Sequence, residues 1–240
     1  MDYQLDGVTF NFKFVCYNAY FTSPSSPDSS FTLMLGMDGK IVQSYYEAHV
    51  TERGNTARRL EEEYRATVGK VLDNPSFPYN SHIDYGELQF IQEEYRNEEG
   101  VPPYALITNE LELDGIYDVN ELGAKAGKLT IYVYDDIVTV ERLAEINLDI
   151  KGMLDNAGVR FYVMDCVLEY PKPESGEWKQ GRVEVMDFLC SDIYEEGLVE
   201  RVQASNDAAE DYYDEMDAIK KEEDFVYSLF KLREQEYDMY

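Results

Sequence analysis

The chain has 240 residues, enough for one large domain or two modest ones and for a core that needs no disulfide staples. Hydrophobic residues make up 44 %, too many for a disordered chain. Asp and Glu number 49 against 21 Lys and Arg, a net charge of −28. Such a field repels nucleic-acid phosphates and anionic membranes and attracts basic partners and cations. Direct nucleic-acid binding and membrane association are therefore set aside.

The chain starts Met-Asp-Tyr-Gln-Leu-Asp, with neither the basic nor the apolar region of a signal peptide, and no run is long enough to span a bilayer. Cys16, Cys166 and Cys190 are far apart and set among apolar residues, the pattern of reduced core thiols. The expected location is cytoplasmic.

Val8, Phe10, Phe12, Phe14 and Cys16 alternate with polar residues and predict one strand. A Ser/Pro-rich loop follows over 22–30. Two strands are expected at 31–35 and 41–50, joined by Gly36-Met37-Asp38-Gly39, a hairpin signal. His49 falls in the second of them.

A helix opens near Gly54-Asn55. Ala57, Leu60, Tyr64, Val68 and Val71 recur every three or four residues, which makes one face apolar. Its other face pairs Arg58–Glu62, Arg59–Glu63 and Glu61–Arg65. Those cations, with Arg53 and Lys70, form a basic island. It suits an anion at a helix start, but the neighbouring acids give a simpler account. Asn74-Pro75 and Phe77-Pro78 end the helix.

A second helix is expected from Asp84, with Glu87 as its capping partner and Leu88, Ile91 and Tyr95 buried. His82 lies in the loop before it. Residues 104–128 hold short strands near 104–108 and 116–119. Glycines at 115, 123 and 127 argue for turns, and here a boundary divides an N-terminal α+β lobe, 1–125, from a second lobe, 126–240.

The second lobe opens with a strand over 128–134. Thr139 caps a helix with the stripe Val140, Leu143, Ile146, Ile150, Met153, Leu154 and Ala157, closed by Gly158. Strands follow over 159–170 and 182–189, around the polar loop 171–177. The order βαββα fits a ferredoxin-like, split βαβ unit. From Tyr194 onward the composition is helical. Val202, Ala209, Met216 and Phe230 keep a seven-residue phase that Glu223 interrupts, and Tyr212, Ile219 and Val226 keep a companion phase. The fold class is thus α+β: two mixed lobes and an acidic C-terminal helical extension.

Three function classes come out of this pattern. Between Asp192 and Asp224 thirteen acids face three bases. Helical residues three and four apart lie about 5–6 Å from each other, so Glu200, Asp207, Glu210, Asp211, Asp214, Glu215 and Asp217 form a ridge of negative charge. Tyr212, Tyr213 and Tyr227 add aromatic contact area. The leading expectation is a non-enzymatic interaction protein whose ridge binds and occludes a basic partner: a nuclease, a toxin or a nucleic-acid-binding protein. The alternative is an enzyme or binder that uses a divalent cation. Asp165 and Asp187 each follow Val-Met in a strand and interrupt an apolar run, and paired carboxylates hold Mg²⁺ or Ca²⁺. The third is a structural protein, a homodimer through the C-terminal helix. No other cofactor is indicated. Two histidines without ligand-spaced neighbours make a nitrogen- or sulfur-liganded metal site a poor fit. No Gly-x-Ser-x-Gly, Gly-x-Gly-x-x-Gly, P-loop or EF-hand pattern occurs.

Overall fold

The structure is a computed structural model that describes residues 2–173, 175, 179 and 181–237, with backbone only for 83–85 and 222–237. It is a mixed α+β fold. Strands β1 (Gln4–Asn11), β2 (Cys16–Ser23), β3 (Ser26–Leu35) and β4 (Ile41–Ser44) form an antiparallel meander in that order. The expected first strand is thus a hairpin: the chain turns at 12–15, where Val15 takes a left-handed φ of 51°. The Ser/Pro segment is ordered into β3 from Ser26. The strand expected over 41–50 stops at Ser44, and His49 sits in a wide helical turn, Glu47–Thr51.

Helix α1 (Gly54–Leu72) buries Ala57, Leu60, Tyr64 and Val68, as its periodicity requires. No helix starts at Asp84. Residues Asn80–Leu88 are strand β5, so His82 lies in a strand and not a loop. Two observations account for the strand. Gly86 has no Cβ, and one added there would meet Val68 Cγ2 at 2.9 Å, so strand and helix pack close. The backbone then pairs antiparallel with a strand some forty residues on.

After short extended pieces at Phe90–Ile91 and Leu106–Ile107 comes helix α2 (Val119–Ala126), where a strand near 116–119 was expected. The side chain of Asp118 accepts from the N–H groups of Asn120 and Glu121, a helix cap. Then follow strand β6 (Gly127–Tyr134), helix α3 (Val140–Asn156), strands β7 (Val163–Glu169) and β8 (Arg182–Leu189) and helix α4 (Leu198–Tyr237). Thr139 caps α3 by accepting from the N–H of Arg142, and Gly158 takes φ 73° after it. Of the polar loop 171–177, Glu174, Gly176 and Glu177 lie outside the described residues.

The second sheet has the order β8-β7-β6-β5. β6 and β7 pair directly and in parallel, across the α3 connection. A ferredoxin-like unit places an antiparallel strand between its two parallel strands. Here that strand, β8, lies outside β7, so the expected βαββα order is present but the unit is an unsplit βαβ with a hairpin. The core lies on one face of this sheet. Leu129, Ile131, Val133, Met164, Cys166 and Leu168 share that face and are buried with Leu60 and Tyr64 of α1 and Leu143, Ile146 and Ile150 of α3. The 125/126 division therefore runs through one sheet and one core, because β5 and α1 from its first side pack with β6–β8 from the other.

Helix α4 runs along β8, the end strand. Asn206 Oδ1 accepts from the backbone N–H of Glu184 at 2.9 Å, and Val202 and Ala209 are buried. The first turns of α4 are thus part of the body rather than an extension. A strand edge left open invites other chains, and here a helix covers it. The cysteines are free thiols, Cys16 and Cys166 buried and Cys190 half-buried. No helix among the described residues is long and apolar enough to cross a membrane.

Candidate functional site

From Glu210 to Lys221 every residue of α4 is exposed. The helix has passed the sheet and carries its pattern into solvent. One side continues the seam that packs on the body: Tyr213 follows Ala209, and Tyr212, Met216 and Ile219 lie close to it, at 50, 46 and 45 % exposure. The broad opposite side carries Asp207, Asp211, Asp214 and Glu215, with Glu200 three turns earlier. Glu210 and Asp217 flank the seam.

Several of these groups have local partners. Gln203 Nε2 donates to Asp207 Oδ1 at 2.6 Å, and Asn206 Nδ2 donates to Glu210 Oε1 at 2.9 Å. Arg182 donates to the Tyr213 hydroxyl at 3.2 Å and stands 5.3 Å from its ring centre. Tyr212 and Tyr213 meet edge to face at 5.6 Å. An open cleft of about 340 Å³ lies here, lined by Arg182, Glu184, Asn206, Glu210, Tyr213 and Asp214. The ridge therefore adjoins an aromatic shelf. The later part of the heptad stripe, Glu223, Val226 and Phe230, and Tyr227 lie outside the residues whose side chains are described.

The strand carboxylates do meet. β7 and β8 pair antiparallel, with a bulge between Val185 and Phe188. The bulge places Asp187 at φ 45° and turns it towards Asp165, whose Oδ1 accepts the Asp187 backbone N–H at 2.6 Å. A cation already lies between them. Lys128 Nζ on β6 is 2.8 Å from Asp165 Oδ2 and 2.7 Å from Asp187 Oδ1. Tyr104 donates to Asp187 Oδ1 at 3.3 Å and rests on the Tyr162 ring. Burial alone lowers the Lys128 ammonium, but its hydrogen bonds to the two carboxylates outweigh that and hold it above the usual lysine range. Lys128 is thus the shared counter-charge of both carboxylates. The cluster is an ionic clasp across three strands. Nothing in the spacing of Lys128 marked it for this, since only the parallel pairing of β6 and β7 brings it in.

The four arginines of the basic island are spent within the chain. Arg53 donates to the carbonyls of Val50 and Thr51, Arg58 to Asn55, and Arg65 to Glu61. Arg59 bonds Glu63 and both carboxylate oxygens of Asp28. A second acidic concavity, about 640 Å³ and open, lies among Glu47, Glu52, Glu93, Glu94 and Tyr45. Its acids come from two distant segments, so periodicity carried no sign of it.

A family model described as the YfjL-like C-terminal domain matches residues 63–203, more than half of the chain. The chain belongs to that family. The matched span takes in the second half of α1, the second sheet, α2, α3 and the first residues of α4, 198–203. The Lys128 clasp lies inside it. The meander, and the acidic residues of α4 from Asp207 onward, lie outside the matched span. A search of curated proteins finds no match. Among solved structures, a DUF5037 family protein from Ruminococcus gnavus is 12 % identical, with 70 % of this chain and 68 % of that chain covered and a TM-score of 0.21. So low a score carries neither fold nor function across.

Proposed function

We propose that this YfjL-like domain protein is a non-enzymatic interaction protein that binds a basic partner through the exposed acidic turns of α4. The partner class is a basic protein such as a nuclease, a toxin or a nucleic-acid-binding protein. The observation that carries the reading is that α4 leaves the body at Glu210 with its acids and its aromatic shelf both in solvent. Opposite charge over many ångströms speeds encounter, and Tyr212 and Tyr213 supply contact area once the partner docks. The ionic clasp at Lys128 supports a scaffold role for the second sheet rather than catalysis. A reducing, cytoplasmic setting belongs to the same proposal and is supported by the three free thiols.

The test is capture of basic proteins at low salt, followed by association kinetics across a salt series. The control reverses four charges: Glu210→Lys, Asp211→Lys, Asp214→Lys and Glu215→Lys. The expected result is slower association and a shallower salt dependence for the control, by about tenfold or more in rate at low salt. An unchanged rate removes the ridge as the interface. The exposed stripe Tyr212, Met216 and Ile219 favours a second reading, in which α4 pairs with another helix as a structural assembly element. Met216→Glu with Ile219→Glu abolishes association in that case and spares it in the first.

A further inference from the structure

The meander sorts its side chains by face. Val8, Ala19 and Leu33 stand side by side across β1, β2 and β3. The next row on that face is Phe10, Tyr17, Leu35 and Ile41. Phe21 and Phe31 extend the same face and stack at 5.1 Å. The other face mixes Thr9, Asn11, Asn18 and Thr32 with Cys16, Tyr20 and Met34. None of these rows belongs to the main core: Val8, Tyr17 and Ile41 are 52, 37 and 63 % exposed, Phe10, Leu33 and Leu35 are half-buried, Ala19 is buried beneath its neighbours, and Phe31 meets the Tyr3 and Tyr46 rings edge to face. A sheet with one apolar face is stable when another layer covers it, and a contiguous exposed apolar face marks an interface.

Charge is sorted along the strands as well. The turns at 12–15 and 36–40 lie at one end of the meander and bring Lys13 and Lys40, the latter paired with Asp38. Asp2 and Asp6 lie at the opposite end, at the start of β1.

We propose that this face is a homodimer interface, with a second copy of the chain packed sheet on sheet and the twofold axis running across the strands. That axis lays the Lys13 and Lys40 end of one copy over the Asp2 and Asp6 end of its partner. An axis along the strands stacks like ends on like. The two rows contain no charged side chain, so they offer nothing to a basic protein and match an identical face. The footprint bounds the strength of the contact. Strands about 4.8 Å apart rising about 3.3 Å per residue give roughly 450 Å² per copy as a flat projection, on the order of 900 Å² for two. That projection spans the whole sheet and is the size of a small, concentration-dependent interface.

Sedimentation of the 240-residue chain over about 1 to 100 µM tests the proposal. The wild type is expected as a dimer, and Val8→Glu with Ile41→Glu as a monomer with an unchanged circular dichroism spectrum, since both positions are exposed. A charge swap gives an independent reading that leaves the face intact. Lys13→Glu with Lys40→Glu weakens the dimer by about tenfold, and adding Asp2→Lys and Asp6→Lys restores it. A monomeric wild type over this range overturns the proposal. So does a dimer that Val8→Glu with Ile41→Glu leaves intact, or one lost only in Met216→Glu with Ile219→Glu, which assigns association to α4. None of the meander variants touches the acidic ridge, so partner binding through α4 stands or falls separately.

Discussion

Asp28 on β3 and Arg59 on α1 form a two-pronged ion pair, with Nε to Oδ1 and Nη2 to Oδ2 both at 2.9 Å. The contact ties the meander to the first half of α1, just ahead of the YfjL-like domain. Arg59 also donates to the Gly115 carbonyl at 2.8 Å, and Asp114 accepts the Asp28 N–H at 2.9 Å, so a third segment joins the knot. Asp28→Asn leaves a guanidinium short of its counter-charge, and the expected loss is about 1–3 kcal/mol in urea melts. Amide exchange should quicken first in β1–β4. Wild-type exchange in that sheet, with the melt unchanged, would show the pair to be dispensable.

The same pair sets an acid limit. Burial alone raises the Asp28 carboxyl, but Arg59 outweighs it and holds the group below the usual carboxylate range. Its stabilisation is complete above the unfolded value, about 3.9, and is lost as pH falls through the lower folded value. Asp28→Asn should therefore flatten the acid limb of a stability–pH curve below about pH 4. An acid limb of wild-type steepness contradicts this.

Lys128 holds the place that a divalent cation would take between Asp165 and Asp187. Lys128→Met should destabilise by about 2 kcal/mol, because two carboxylates lose their counter-charge. The variant, unlike the wild type, should then gain melting temperature with Ca²⁺ or Mg²⁺, and Asp165→Asn in that background should remove the gain. A wild-type melting temperature that rises with Mg²⁺ and loses the rise in Asp165→Asn would restore the carboxylates as a metal site.

Asn147 on α3 is fully buried, and neither of its amide atoms has a hydrogen-bond partner among the described residues. A buried amide with no partner costs stability. Asn147→Ala should therefore hold or raise stability by up to about 1 kcal/mol, where loss of a bonded buried amide costs about 1–3 kcal/mol. A loss of that larger size would reveal a bound water on the amide.

The candidate site was partly legible. The Val-Met-Asp steps at 163–165 and 185–187 put Asp165 and Asp187 on strands, and the pairing of those strands brings them together. Lys128 was hidden because its approach depends on which strand lies beside β7. The acids of α4 were readable because a helix fixes its own neighbours. Where the helix leaves the body was not, since that depends on the length of β8.

The sequence by itself determined α1, β6 and α3. Their apolar spacing, the Thr139 cap and Gly158 are local signals, and helix or strand period follows from local backbone geometry. Tertiary structure alone decided that Asn80–Leu88 is a strand, that β6 and β7 pair without a strand between them, and that one core crosses residue 125. Each of these rests on hydrogen bonds or packing between segments far apart in the chain. The cost of closing such loops is repaid only when both partners are in place, so no single segment carries the signal.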